Sequence, residues 1–204
     1  KYDVRSGLLG LQGLKAKPTN ITGVDVIGGT RQGIKLSVNT TIYNPSNVNI
    51  GAGDVTLLLI NQDVIGKVLM KDLHLSIGEN MITAESTFTP TASPHGYETL
   101  NRFVSGLDTK LNISGYDDST PIPALGPAFS AIRIDTILPG LKNQIVGNTK
   151  LIIANTTGVT NDVAYSKIDI VDPFTADLGI THIKANVTSH GLFIAQVDTP
   201  MDFT

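Results

Sequence analysis

The chain of 204 residues has no cysteine, no tryptophan and only 5% aromatic residues. Without cysteine it can form no disulfide framework, no thiolate metal site and no thiol nucleophile. Charge is sparse as well: 15 Lys and Arg stand against 18 Asp and Glu, a formal net charge of −3. Lys and Arg nowhere cluster, so the electrostatic footprint of a nucleic-acid binder is missing. The longest apolar run is a handful of residues, 55–60, broken by Thr56. No segment approaches the roughly 20 apolar residues of a membrane helix. Residue 1 is Lys and no signal-like stretch follows it, which creates the expectation of a mature or excised piece of a longer product.

What is present is apolar and branched. Hydrophobic residues make up 41% of the chain, nearly all of the core-forming ones Leu, Ile and Val, and they are accompanied by 23 Thr. Branched side chains suit a pleated surface, so the composition reads as β-rich. The length suits one large or two small domains, burying roughly 70% of the unfolded surface.

Five Asn-x-Ser/Thr sequons occur, at Asn20, Asn39, Asn112, Asn155 and Asn186, where chance would give about two. Strand parity adds an independent observation. In 34–43 the apolar set is Ile34, Leu36, Val38 and Ile42, which puts Asn39 on the other face. By the same rule Asn112 lies opposite Leu107, Leu111 and Ile113, and Asn186 lies opposite Ile183, Ala185 and Val187. Three sequons thus fall on expected solvent faces, where a glycan disturbs no core. This points to the secretory pathway: an extracellular, cell-surface or vacuolar-lumen location.

Along the chain, 1–17 reads as a lead-in carrying Leu8, Leu9, Leu11 and Leu14. Strands are expected at 20–27, 34–43, 54–60, 64–70, 73–77 and 81–89, spaced as in an antiparallel sandwich. A helix follows, with Ser93 as cap, Pro94 at the first position and Tyr97, Leu100, Phe103, Val104 and Leu107 at helical spacing. A strand over 107–116 closes the unit. Residues 117–132, rich in proline, read as a linker, with 128–134 a further helix candidate. Later strands are expected at 150–154, 163–171, 180–188 and 192–197.

An internal repeat organises these elements. Residues 42–50, with Asn44-Pro45, parallel 170–178, with Asp172-Pro173. Both read as a strand ending in an Asx-Pro turn. Residues 55–68 then parallel 183–197, each a strand, a short polar turn and a strand. The expectation is all-β: tandem immunoglobulin/fibronectin-like antiparallel sandwiches, the first over 18–116 with one short helix, the second, partial, over 133–204. A half-sandwich exposes an apolar face and strand edges that something must cover.

At these residues the sequence resembles the late-embryogenesis-abundant type 2 (water-stress and hypersensitive-response) domain. It is most similar to the fungal family of uncharacterised membrane-anchored proteins carrying that domain in tandem. The residues that carry the resemblance are the strand 36–43 into Asn44-Pro45-Ser46, Val64-Ile65-Gly66, the segment 73–80 ending in Gly78-Glu79-Asn80, the link from Ala128-Phe129 to Leu138-Pro139-Gly140, and Asp172-Pro173-Phe174. The resemblance spans essentially the whole chain through turn and packing signatures, none of them catalytic. It implies a sandwich fold, a membrane helix upstream in the full-length protein, an extracytoplasmic or vacuolar location, and for the group a suggested role in handling lipids.

Nothing in the pattern assembles a reaction. His74, His95, His182 and His190 read as surface residues without ligand spacing. The Gly-x-Ser-x-Gly elbow is absent, and Asp117-Asp118 lacks the alternation of a calcium loop. Neither Gly28-Gly29 nor Gly51-Ala52-Gly53 opens a helix as a phosphate loop does. No catalytic residue, metal or cofactor is expected. The strands 55–60 and 64–70 are apolar on both faces: with Leu57 and Leu59 in the core, Leu58, Ile60 and Met70 form an outward contact surface. It would be covered by the helix, a partner or a lipid. The functional expectation is a non-enzymatic extracytoplasmic glycoprotein module acting in adhesion, scaffolding or lipid contact. The alternatives are a homo-oligomeric fibre completed by strand or arm exchange and a lipid-binding or transfer module. No nucleic-acid partner is expected.

Overall fold

Alternating apolar residues carry seven strands of one antiparallel sheet in the computed structural model, which describes residues 17, 19–31, 33–143, 145–152 and 165–203. They are β1 (Asn20–Thr30), β2 (Gly33–Asn44), β3 (Ile50–Asn61), β4 (Asp63–Leu75), β5 (Gly78–Phe88), β6 (Thr109–Ser114) and β7 (Arg133–Leu138), in the spatial order β1-β2-β5-β4-β3-β6-β7. The sheet curls until its two edges meet, and the Thr136 hydroxyl donates to the Thr19 carbonyl across the seam at 3.3 Å. The fold is thus all-β, a curled antiparallel sheet with two short helices, α1 (Pro94–Val104) and α2 (Gly126–Ser130). Two further hairpins pair β8 (Val146–Ile152) with β9 (Tyr165–Ile170) and β10 (Ile180–Ser189) with β11 (Leu192–Phe203).

The helix α1 forms where the caps place it. Ser93 Oγ accepts from the Gly96 N–H at 3.1 Å and Pro94 opens the first turn, so an otherwise unbonded amide is satisfied. Its buried face is Gly96, Thr99 and Phe103, whereas Tyr97 is exposed. The β3–β4 turn holds the helix: Asn61 Nδ2 donates to Thr99 Oγ1 at 2.8 Å, and His95 Nδ1 lies 2.8 Å from Asp63 Oδ2. The helix therefore lies across one end of the curled sheet.

Residues 117–132 are not a linker. Ser119, Thr120, Phe129 and Ile132 are buried, and the Thr56 N–H donates to the Ser119 carbonyl at 2.8 Å, so the segment is fastened along β3. The expected helix over 128–134 is the short α2 followed by β7. That strand alternates Ile134, Thr136 and Leu138 inward, continuing from the buried Ile132, and pairs with β6 in the same sheet, so residues from 133 onward begin as part of the first unit. Gly115 shows how tightly this region packs: a Cβ there would lie 1.8 Å from the Phe129 carbonyl oxygen. The strands expected at 64–70 and 73–77 are one strand, β4, bent at Asp72, which takes a φ of 45°. The lead-in 1–16, and the ends of the strands expected at 150–154 and 163–171, lie outside the described residues.

Candidate functional site

Curling the sheet leaves its concave face only partly filled. Between β1–β7 and α1 lies an apolar cavity of about 650 Å³. From the sheet it is walled by Leu36, Ile42, Leu57, Val68, Met70 and Ala84 among others, and from the helix by Leu100, Phe103 and Val104. The third wall is a strap, residues 174–178, which follows the second Asx-Pro turn. Phe174 packs on the core. The strap is tied to β1 by the Ala176 N–H donating to the Val26 carbonyl at 2.9 Å. Thr175 adds its hydroxyl to Asp25 Oδ2 at 2.5 Å and its N–H to Oδ1 at 3.1 Å. The Thr175 hydroxyl, then its N–H, hold the Asp25 carboxyl below its ordinary value, because both bonds favour the charged form.

Polar side chains in the wall are few, and most are occupied. The Thr40, Ser86 and Thr99 hydroxyls donate to the carbonyls of Asn20, Lys67 and His95 at 3.1, 3.1 and 2.7 Å. Among the described residues that line the cavity, Asp177 is the one charged side chain.

The sequence placed Met70 outward with Leu58 and Ile60, and this is corrected. Val55 faces Met70 and Leu57 faces Val68 in the β3–β4 ladder, so Met70 is buried at 4% exposure on the cavity side. Leu58 and Ile60 occupy the opposite face, half-buried. Register, which parity along a single strand does not reveal, decides the face. Nor does α1 cover Leu58 and Ile60; it turns Leu100 and Phe103 toward the cavity.

The sequon residues Asn20, Asn39, Asn112 and Asn186 are exposed. Asn112 Nδ2 donates to Asp135, and Asn39 Oδ1 accepts from the Thr83 hydroxyl at 2.9 Å. Asn155 lies outside the described residues. His74 bonds its own strand at the Asp72 carbonyl, His182 and Lys184 share Asp198, and His190 sits in the β10–β11 turn. His95 and Asp63 act as the staple of α1 described above. No group of three or more His, Asp or Glu able to hold a metal occurs among the described residues, and none of their helices is long and apolar enough to cross a membrane. The sequence offered a lipid-binding module as an alternative without naming the residues of its site; the inward series Leu36, Ile42, Leu57, Val68, Met70 and Ala84 is visible as alternation, but an unfilled interior is not.

A family model described as "Protein of unknown function (DUF3712)" matches residues 1–59, under a third of the chain, taking in β1, β2 and most of β3. No curated protein and no solved structure matches the chain.

Proposed function

We propose that the chain is a lipid-binding module whose ligand occupies the interior of the curled sheet. The observation that carries this reading is the cavity itself. Protein interiors pack at crystal density, whereas here about 650 Å³ bounded by apolar side chains stays unpacked. Water is a poor filler for walls of Leu, Ile, Val and Phe, because it needs several polar partners. An apolar ligand satisfies both constraints, and the volume lies inside the range of small-molecule sites, about 300–1,000 Å³. Each buried methylene contributes about 0.8 kcal/mol, so a long hydrocarbon binds without a charged anchor. Adhesion, scaffolding and fibre formation need no such interior.

The exposed sequons support placing this module in the secretory pathway, as part of a glycoprotein. That placement is tested by the mass lost from the native protein on N-glycosidase treatment.

The experiment for the binding site is a titration with N-phenyl-1-naphthylamine, an uncharged probe that brightens in apolar surroundings, on the wild type and on Ala84→Phe. Ala84 is 2% exposed and lines the cavity, so a ring there takes up ligand space. The wild type is expected to bind saturably, and the variant to keep its β-rich circular dichroism while losing roughly tenfold or more in affinity. Equal binding by both proteins would contradict an interior site.

A further inference from the structure

We infer that the ligand is an uncharged lipid, with a polar end no more than a hydroxyl or an ester, and that fatty-acid anions are excluded. This rests on the reading that the cavity binds an apolar ligand, and it follows from what the wall offers a head group. A carboxylate entering the cavity loses its hydration and must be repaid by hydrogen-bond donors or a cation. No Lys or Arg is found among the described residues of the wall. Of the five hydroxyl side chains among the described residues of the wall, those of Thr40, Ser86, Thr99 and Thr175 already direct their protons to Asn20 O, Lys67 O, His95 O and Asp25 Oδ2, which leaves Thr19 alone. A hydroxyl has one proton to give, so these four have none left for an anion.

The charge that is present has the wrong sign. Asp177 belongs to the strap wall, and the Asp25 carboxylate, outside the lining, holds the same strap through Thr175. An entering carboxylate therefore meets like charge, which disfavours its ionised form. The hydroxyl oxygens keep lone pairs, so the cavity offers a lipid alcohol several acceptors but an acid only the Thr19 hydroxyl as a side-chain donor. An ester needs neither a donor nor a counter-charge to be buried.

The test uses three ligands with one hydrocarbon chain: cis-parinaric acid, its methyl ester and the corresponding alcohol, each followed by fluorescence at neutral pH. The ester and alcohol are expected to bind roughly tenfold or more tightly than the acid. Asp177→Lys, a change on the exposed strap, is expected to raise the affinity for the acid relative to that for the ester several-fold. Binding of the acid as tight as that of the ester by the wild-type protein would overturn charge exclusion, while saturable N-phenyl-1-naphthylamine binding would leave the lipid-binding reading standing. Failure of all four probes to bind would overturn that reading itself.

Discussion

The two copies of the repeat use one sequence pattern to opposite ends. Asn44 and Asp172 each accept a hydrogen bond from the N–H two residues on, Ser46 at 2.9 Å and Phe174 at 3.0 Å. Asn44 is fully buried and its amide donates to the Val48 and Leu75 carbonyls at 2.9 and 3.2 Å, joining the turn to the end of β4. Asp172 has no proton to donate. Its second oxygen accepts from the Leu178 N–H at 2.9 Å instead, and the loop it shapes becomes the strap across the cavity. The hairpins that follow agree in their bulge but not in their turn, which encloses one residue, Gln62, in the first and two, His190 and Gly191, in the second. Both carry a register shift just before the turn, at Leu59/Ile60 in β3 and Val187/Thr188 in β10. The second strand of each then has one extra residue, Ile65 or Ile194. Ile65 is fully buried, whereas Ile194 is 49% exposed. Local sequence thus builds the same bulge twice beside turns of different length, and the neighbouring strands decide whether it becomes core or surface.

The comparison breaks most sharply at the Asx positions. Asn44→Asp places a carboxylate against two carbonyls with no water, and is expected to lower stability by about 3–5 kcal/mol, read as a fall in the urea midpoint at unchanged slope. The reciprocal Asp172→Asn lies at an exposed position and should change stability by less than about 1 kcal/mol. Next in size is the bulge pair. Ile65→Ala should cost about 2–5 kcal/mol as a core truncation, and Ile194→Ala well under about 1 kcal/mol; equal losses would mean the second hairpin is as well covered as the first.

Thr175→Ala removes the hydroxyl that holds Asp25, and should speed amide exchange at Ala176, whose N–H bonds Val26, while amides in β2 and β5 keep their protection. The smallest effect is that of pH on the same clasp. The Asp25 carboxyl is held below its ordinary value of 3.8 by Thr175. Its contribution is therefore complete above about pH 4 and lost as pH falls through the lowered native value. Protection at Ala176, taken relative to the intrinsic exchange rate at each pH, should accordingly fall below about pH 4, and unchanged protection there would mean the strap stays shut without the Asp25 charge.

Much of this architecture was legible in the residues. Strict alternation in β2 and β5, and the Ser93-Pro94 start of α1, are local signals that tertiary structure did not override. The strand β7 was hidden because Thr136 interrupts its inward apolar series and the prolines at 121, 123 and 127 read as a linker. Those prolines instead bound the single turn Pro123–Leu125 and the start of α2. Met70 was misplaced because its face depends on which residue of β3 it opposes. The cavity is a property of curl and of side-chain volume summed over seven strands, and no single segment encodes it.

The most direct measurement of the central claim is native mass spectrometry of the purified chain, before and after incubation with neutral lipid vesicles, alongside Ala84→Phe. Occupation of the cavity predicts a discrete adduct of lipid mass on the wild type and its loss in the variant. Spectra showing only the bare chain for both proteins, even after incubation, would contradict it.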